Sequence, residues 1–138
     1  MTPQQHHVVI LGASPKPARY ANQAQRLLTE HGYLVTPVHP KLDEVDGLAV
    51  RHRLDAITTP VDTLTLYVGP ARLDPILDQI LALNPRRVIF NPGTESARAQ
   101  QQLDQAGITW LEACTLVMLR TGVFLADCEL DQEKTHRQ

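Results

Sequence analysis

A chain of 138 residues with 43% hydrophobic and 20% charged content suits one globular domain around a single core, and is too short for a nucleotide domain plus a separate catalytic domain. Its formal net charge of −2 argues against a nucleic-acid protein, and neither a membrane-length apolar run nor a signal peptide at Met1–His7 is present. Cys114 and Cys128 are too few for a disulfide scaffold and, like the six scattered histidines, have no metal-ligand spacing, so a cytoplasmic protein without a metal is expected.

Taken in order, the chain opens with its strongest signal. Residues 7–11 alternate poorly and are apolar from Val8 onward, which fits a strand buried on both faces of a parallel sheet, and Gly12 ends the run. Tyr20, Ala24, Leu27 and Leu28 then recur at helical spacing between Ala18 and His31, with Gly32 as the stop. A second strand over 33–38 contains Pro37, which lacks a ladder donor and so belongs near an edge. An acidic, turn-like loop follows from His39 to Gly47, and Leu48–Val50 reads as a short third strand with a turn or brief helix over 54–57.

The second half repeats the alternation. Residues 62–68 form a firmer strand ended by Gly69-Pro70, and Leu73, Ile76, Leu77, Ile80 and Leu81 mark a helix with Pro75 in its first turn. Residues 86–90 are a strand, Asn91-Pro92-Gly93 a turn, and 95–106 a helix that Thr94 would cap. A short strand over 108–111 and an apolar helix over 114–125 complete the domain, leaving a polar tail over 126–138. Strand and helix alternating without repeat or linker predict a doubly wound α/β domain with a mostly parallel sheet of five or six strands. Ligand should then bind at the carboxyl ends of the strands, at the switch point beside the first one.

The loop after the first strand reads as an anion site. No Asp or Glu occurs before Glu30, whereas Lys16, Arg19 and Arg26 are all cationic. Gly12-Ala13-Ser14 departs from the G-x-G-x-x-G fingerprint, with Ser14 for the second glycine and Pro17 for the third. Ser14 either offers a hydroxyl to phosphate or caps the helix; Lys16 and Arg19 either meet the anion or are solvated; Tyr20 packs or covers the ligand. The second strand discriminates between ligands. A site for the free ribose hydroxyls of NAD usually has a carboxylate about twenty residues past the glycines. Val38-His39-Pro40-Lys41 offers a cation there instead, and Lys41 either pairs with a phosphorylated ribose, as in CoA or NADP, or is an exposed loop lysine balanced by Asp43 and Glu44. Asn91, held extended by Pro92 and followed by Gly93, either lines the crevice or makes a structural turn.

These segments, with Gly32-Tyr33, Thr94-Glu95 and Cys114-Thr115, resemble the small bacterial CoA-binding proteins, which are similar to the CoA-binding domain of the succinyl-CoA synthetase alpha subunit. The resemblance spans residues 7 to about 124. It implies a Rossmann-like domain in which Gly12, Ala13, Ser14 and Lys16 meet phosphate while Val38, Pro40 and Lys41 meet the nucleotide end. His39 stands where the family more often has Asn. The domain is expected over 1–125, with CoA or an acyl-CoA as ligand, no nucleic-acid or membrane partner, and a homo-oligomer left open.

No nucleophile and base stand at recognisable spacing, so a binding module without chemistry of its own is expected. Cys114 reads as an inert core residue, with a mixed disulfide to CoA as the sharper alternative. The competing function is an NADP-binding oxidoreductase or a fragment of one, which lacks here a substrate domain and a catalytic pair.

Overall fold

The computed structural model describes residues 1–125 and buries every residue of the first strand. In chain order the elements are β1 (His7–Leu11), α1 (Tyr20–Glu30), β2 (Leu34–Val38), β3 (Glu44–Val45), β4 (Leu48–Ala49), β5 (Thr63–Leu66), α2 (Pro70–Leu73), α3 (Leu77–Leu83), β6 (Arg87–Phe90), α4 (Ala97–Gln105), β7 (Thr109–Glu112) and α5 (Thr115–Arg120). Five strands make one parallel sheet in the order β2-β1-β5-β6-β7. The order reverses between β1 and β5, so the switch point lies beside the first strand as expected.

Alternation along β1 decides the layering. Val9 and Leu11 face one core with Leu64, Leu66, Val88 and Phe90, covered by Leu73, Leu77 and Ile80 and by Ala99 and Leu103 of α4. Val8 and Ile10 face the other, covered by Ala21 and Leu28 of α1 and by Met118 and Leu119 of α5. Each fully buried leucine or isoleucine in these layers contributes about 1.5–3 kcal/mol. The result is the doubly wound, Rossmann-like α/β domain, with β2 at the edge where Pro37 required it. Among the described residues no helix is long and apolar enough to cross a membrane.

Several local expectations are corrected. The short strand expected over Leu48–Val50 is present as β4 but stands outside the main sheet, paired with β3 in a separate antiparallel hairpin. Its turn, Asp46-Gly47, has positive φ at both residues (47° and 84°), the geometry a two-residue hairpin demands. Pro75 interrupts its helix rather than opening it. Lacking an N–H, it leaves residues 74–76 as a 3-10 turn between α2 and α3. Tyr20 is not part of the buried stripe of α1 but 70% exposed, because it is the first helical residue, at the open end of the sheet.

Ser96, not Thr94, caps α4, its Oγ accepting from Ala99 N at 3.1 Å. Thr94 instead donates its hydroxyl to Asn91 O at 2.8 Å. The final helix is shorter than 114–125: α5 ends at Arg120 and Gly122 follows with φ 76°. The polar tail over 126–138 lies outside the described residues.

Candidate ligand-binding site

Two joined clefts open at the carboxyl ends of β1, β2 and β5. The first, about 680 Å³, is lined by residues 12–16 and 19–21 of the loop and by Tyr67, Gly69 and residues 92–94. The second, about 770 Å³, lies between Val38–Lys41 and the residues Leu54, Ile76 and Gln79. Gly12, His39, Val68 and Arg72 line both. The first suits the polar part of an elongated ligand, and the second, with Leu11, Val38, Leu54 and Ile76 in its walls, suits a flat apolar group such as a nucleobase.

The loop after β1 is built to leave donors unspent. Gly12 and Ala13 both donate to Val38 O at 3.1 Å, so these two N–H groups bind the loop to the end of β2. Lys16 N donates to Ser14 Oγ at 3.2 Å, and the buried Asn22 amide holds Ser14 O at 2.9 Å. Pro15 and Pro17 have no N–H. The N–H groups of Ser14, Ala18, Tyr20 and Ala21 have no acceptor among the described residues. Tyr20 and Ala21 are open donors in the first turn of α1, where the helix dipole favours an anion, and Ser14 and Ala18 belong to the loop before it. Ser14 is not the helix cap, which is Arg19; its hydroxyl shapes the loop.

Gly12 is required by space as well as by φ. A Cβ there would stand 2.9 Å from both Tyr67 O and Val68 Cγ1, on a backbone at φ 96°. The absent side chain lets the loop lie against the end of β5.

The electrostatics are one-sided. Neither cleft has an Asp or Glu in its lining. Lys16, Arg19, Lys41 and Arg72 have no ion-pair partner among the described residues, whereas Arg53 is held by the Asp55 carboxylate at 2.9 Å. Arg72, two residues past Pro70, was not anticipated from the sequence. Its signal was its place after the Gly69-Pro70 stop, at the carboxyl end of a central strand. Tyr67 and Val68, at the same strand end, were missed as lining residues too.

The contacts of His39 match one tautomer of the neutral ring. Its Nδ1 accepts from Lys41 N at 3.0 Å and Leu42 N at 3.2 Å, so the ring is neutral with its proton on Nε2. Burial lowers its pKa below the usual histidine value, reinforced by the charges of Arg72, Lys41 and His52.

Of the sequence candidates, Gly12, Ala13, Ser14, Lys16, Arg19, Tyr20, His39, Pro92 and Gly93 line the first cleft, and Val38, His39, Pro40 and Lys41 the second. Asn91 does not line either. It is 3% exposed and its amide is spent inside: Nδ2 donates to Thr65 Oγ1 at 2.7 Å and Leu66 O at 2.8 Å, and Oδ1 accepts from Thr115 N at 2.9 Å. The structural-turn alternative is the correct one for Asn91. Glu95, expected in the first turn of a helix, precedes α4 and accepts the N–H of Gly93 at 2.9 and 3.0 Å. Cys114 is half-buried, precedes α5, and lies outside both linings. Burial pushes the Tyr67 phenol up to about 12; the Thr65 and Thr115 hydroxyls oppose the rise and the Cys114 thiol adds to it. It is a neutral phenol at physiological pH.

Known proteins agree with this architecture. A solved structure of an uncharacterized protein is 40% identical, with a TM-score of 0.76 over 86% of this chain and 98% of its own. A Thermus thermophilus protein is 30% identical, TM-score 0.80, covering 86% of this chain and 90% of its own. An uncharacterized Bacillus subtilis protein, YneT, is 24% identical over 74% of this chain and 76% of its own. Acetyl-coenzyme A synthetase 1 of Ca. Korarchaeum cryptofilum shares the fold at 19% identity, TM-score 0.66, over 80% of this chain and 25% of its own. The model of the CoA binding domain matches residues 6–120, most of the chain, and the protein belongs to that CoA-binding domain family.

Proposed function

We propose that this protein binds CoA or an acyl-CoA in the joined clefts and carries out no chemistry on it. The pyrophosphate lies against the open N–H groups of Ser14, Tyr20 and Ala21, with Lys16 and Arg19 beside it. The adenosine occupies the second cleft, where Lys41 meets the ribose phosphate. The pantetheine arm crosses Tyr67–Gly69 toward Pro92–Gly93.

The observation that carries this reading is the charge of the cleft. It has no carboxylate in its walls and Lys41 at the end of β2, a combination that serves a phosphorylated ribose and leaves the free hydroxyls of NAD without an acceptor. The absence of chemistry rests on the residues that line the site. Its tyrosine is held neutral, its histidine accepts two backbone donors, and its cysteine lies elsewhere.

A thermal-shift panel tests the ligand. At about a hundredfold excess over its dissociation constant a ligand adds roughly 2.7 kcal/mol to stability. CoA should raise the melting temperature more than NADP or NAD; equal shifts, or none, overturn the assignment. Release of free thiol from acetyl-CoA that depends on Lys16 would overturn the absence of chemistry.

A further inference from the structure

We propose that His39 is a positioning residue of the CoA site, a latch whose neutral ring holds the Lys41 loop in the ligand-competent arrangement and whose protonation releases it. The ligand half of this inference rests on the reading above; the latch itself does not.

The geometry concentrates the loop on one atom. The backbone of His39 is anchored outside the site, its N–H donating to Arg51 O at 3.0 Å while Arg51 N donates to Pro37 O at 3.0 Å. Beyond it the chain must turn through Pro40, which has no N–H. The next two donors, Lys41 N and Leu42 N, both point at His39 Nδ1, at 3.0 and 3.2 Å. One lone pair therefore orients the residue that discriminates between ligands. The same ring lines both clefts at their junction, so the latch and the ligand share one wall.

Protonation of Nδ1 would place a third N–H where two already converge. Both acceptor contacts are lost together, and nothing nearby compensates. The charged groups facing the ring are Lys41 on its own loop, His52 from the segment after β4 and Arg72 from α2. All disfavour a second charge. No carboxylate acts on the ring, and Asp43, four residues along the chain, contacts His52 Nε2 at 3.0 Å. The ligand-competent state is thus the unprotonated one. Affinity is constant above the histidine's pKa and falls below it, by at most about tenfold per pH unit, the limit for a single coupled proton.

The test uses dephospho-CoA, because the 3′-phosphate of CoA itself titrates near pH 6 and would contribute its own slope. Affinity is measured from pH 8 to 5 for the wild type, His39→Asn and His39→Ala. An asparagine Oδ1 accepts the same two N–H groups and does not titrate. Wild-type affinity should fall with acid, His39→Asn should stay flat and within about twofold of wild type at pH 8, and His39→Ala should be weak throughout. An equal slope in His39→Asn, or wild-type affinity that rises with acid through attraction of the imidazolium to phosphate, overturns the latch.

A ligand-free arm separates the two readings. Nitrogen NMR should find His39 Nδ1 unprotonated at pH 8, and amide exchange at Lys41 and Leu42 should accelerate as the ring titrates, in the wild type but not in His39→Asn. Unchanged exchange overturns the latch even where CoA binds. Accelerated exchange in a protein that binds neither CoA nor dephospho-CoA overturns the ligand assignment and supports the latch.

Discussion

The N–H of Gly12 donates to the carbonyl of Val38 at 3.1 Å, and so is spent within the backbone rather than left open to the cleft that the glycine lines. Ala13 donates to the same oxygen. The two segments that line the joined clefts, the loop after β1 and the end of β2, are therefore joined by backbone. What the glycine supplies is close approach, and the N–H groups that stay open are those of Ser14 and the start of α1.

Gly12→Ala should consequently damage the fold and the site together. The new Cβ meets Tyr67 O and Val68 Cγ1 at 2.9 Å on a φ of 96°, and backbone strain of this kind costs about 1–3 kcal/mol before any clash is counted. Gly47→Ala is the control, since it has φ 84° but nothing within 4 Å; it should lose only about 1–2 kcal/mol. Urea unfolding of both variants checks the difference, and equal losses would remove the packing argument.

Lys41→Ala and Lys16→Ala should separate the two ends of the ligand. A charge-assisted hydrogen bond contributes about 1.5–3 kcal/mol, so loss of Lys41 should weaken CoA by at least about tenfold while dephospho-CoA changes little. Loss of Lys16 should weaken both alike. Isothermal titration with the two ligands decides it, and an identical loss for both in Lys41→Ala would place that lysine away from the ribose phosphate.

Asn91→Ala should act on stability rather than on affinity. The substitution strands Thr115 N and removes a donor from Thr65 Oγ1 and Leu66 O, all in the interior, at about 1–3 kcal/mol for each buried group left unsatisfied. A lowered urea midpoint with CoA affinity within about threefold of wild type is the expected pair of results. Lost affinity in a protein of unchanged stability would return Asn91 to the binding site.

Acid should destabilise the fold through His6, at the opposite end of the sheet. The ring is fully buried, bonded through Nε2 to Thr63 Oγ1 at 2.8 Å and stacked edge-on with Tyr33. Burial lowers its pKa from 6.5 to about 4, with Asp62 pulling the other way and Arg87, Arg86 and His7 adding to the fall. The unfolded chain thus takes up a proton near 6.5 that the folded chain refuses until about 4. Stability from this group is complete above pH 6.5 and is lost between 6.5 and 4, on the order of 3 kcal/mol in all. His6→Gln should flatten that part of the stability profile, and an unchanged profile would assign the acid sensitivity to other groups.

Periodicity and punctuation made the strands, the helices and the edge position of β2 legible from the sequence, because Gly, Pro and alternating apolar residues act through local backbone physics. The same locality made the first loop and Lys41 legible as lining residues of the two clefts. Tertiary structure decided the rest. Arg72 joins the site because β5 pairs with β1, a contact across more than fifty residues that no spacing announces. Asn91 leaves it because Thr65 and Thr115 converge on its amide. Which donors stay open in the first loop depended on where the Val38 carbonyl came to lie. Hydrogen bonds between distant segments are chosen by packing, and packing is a property of the whole domain.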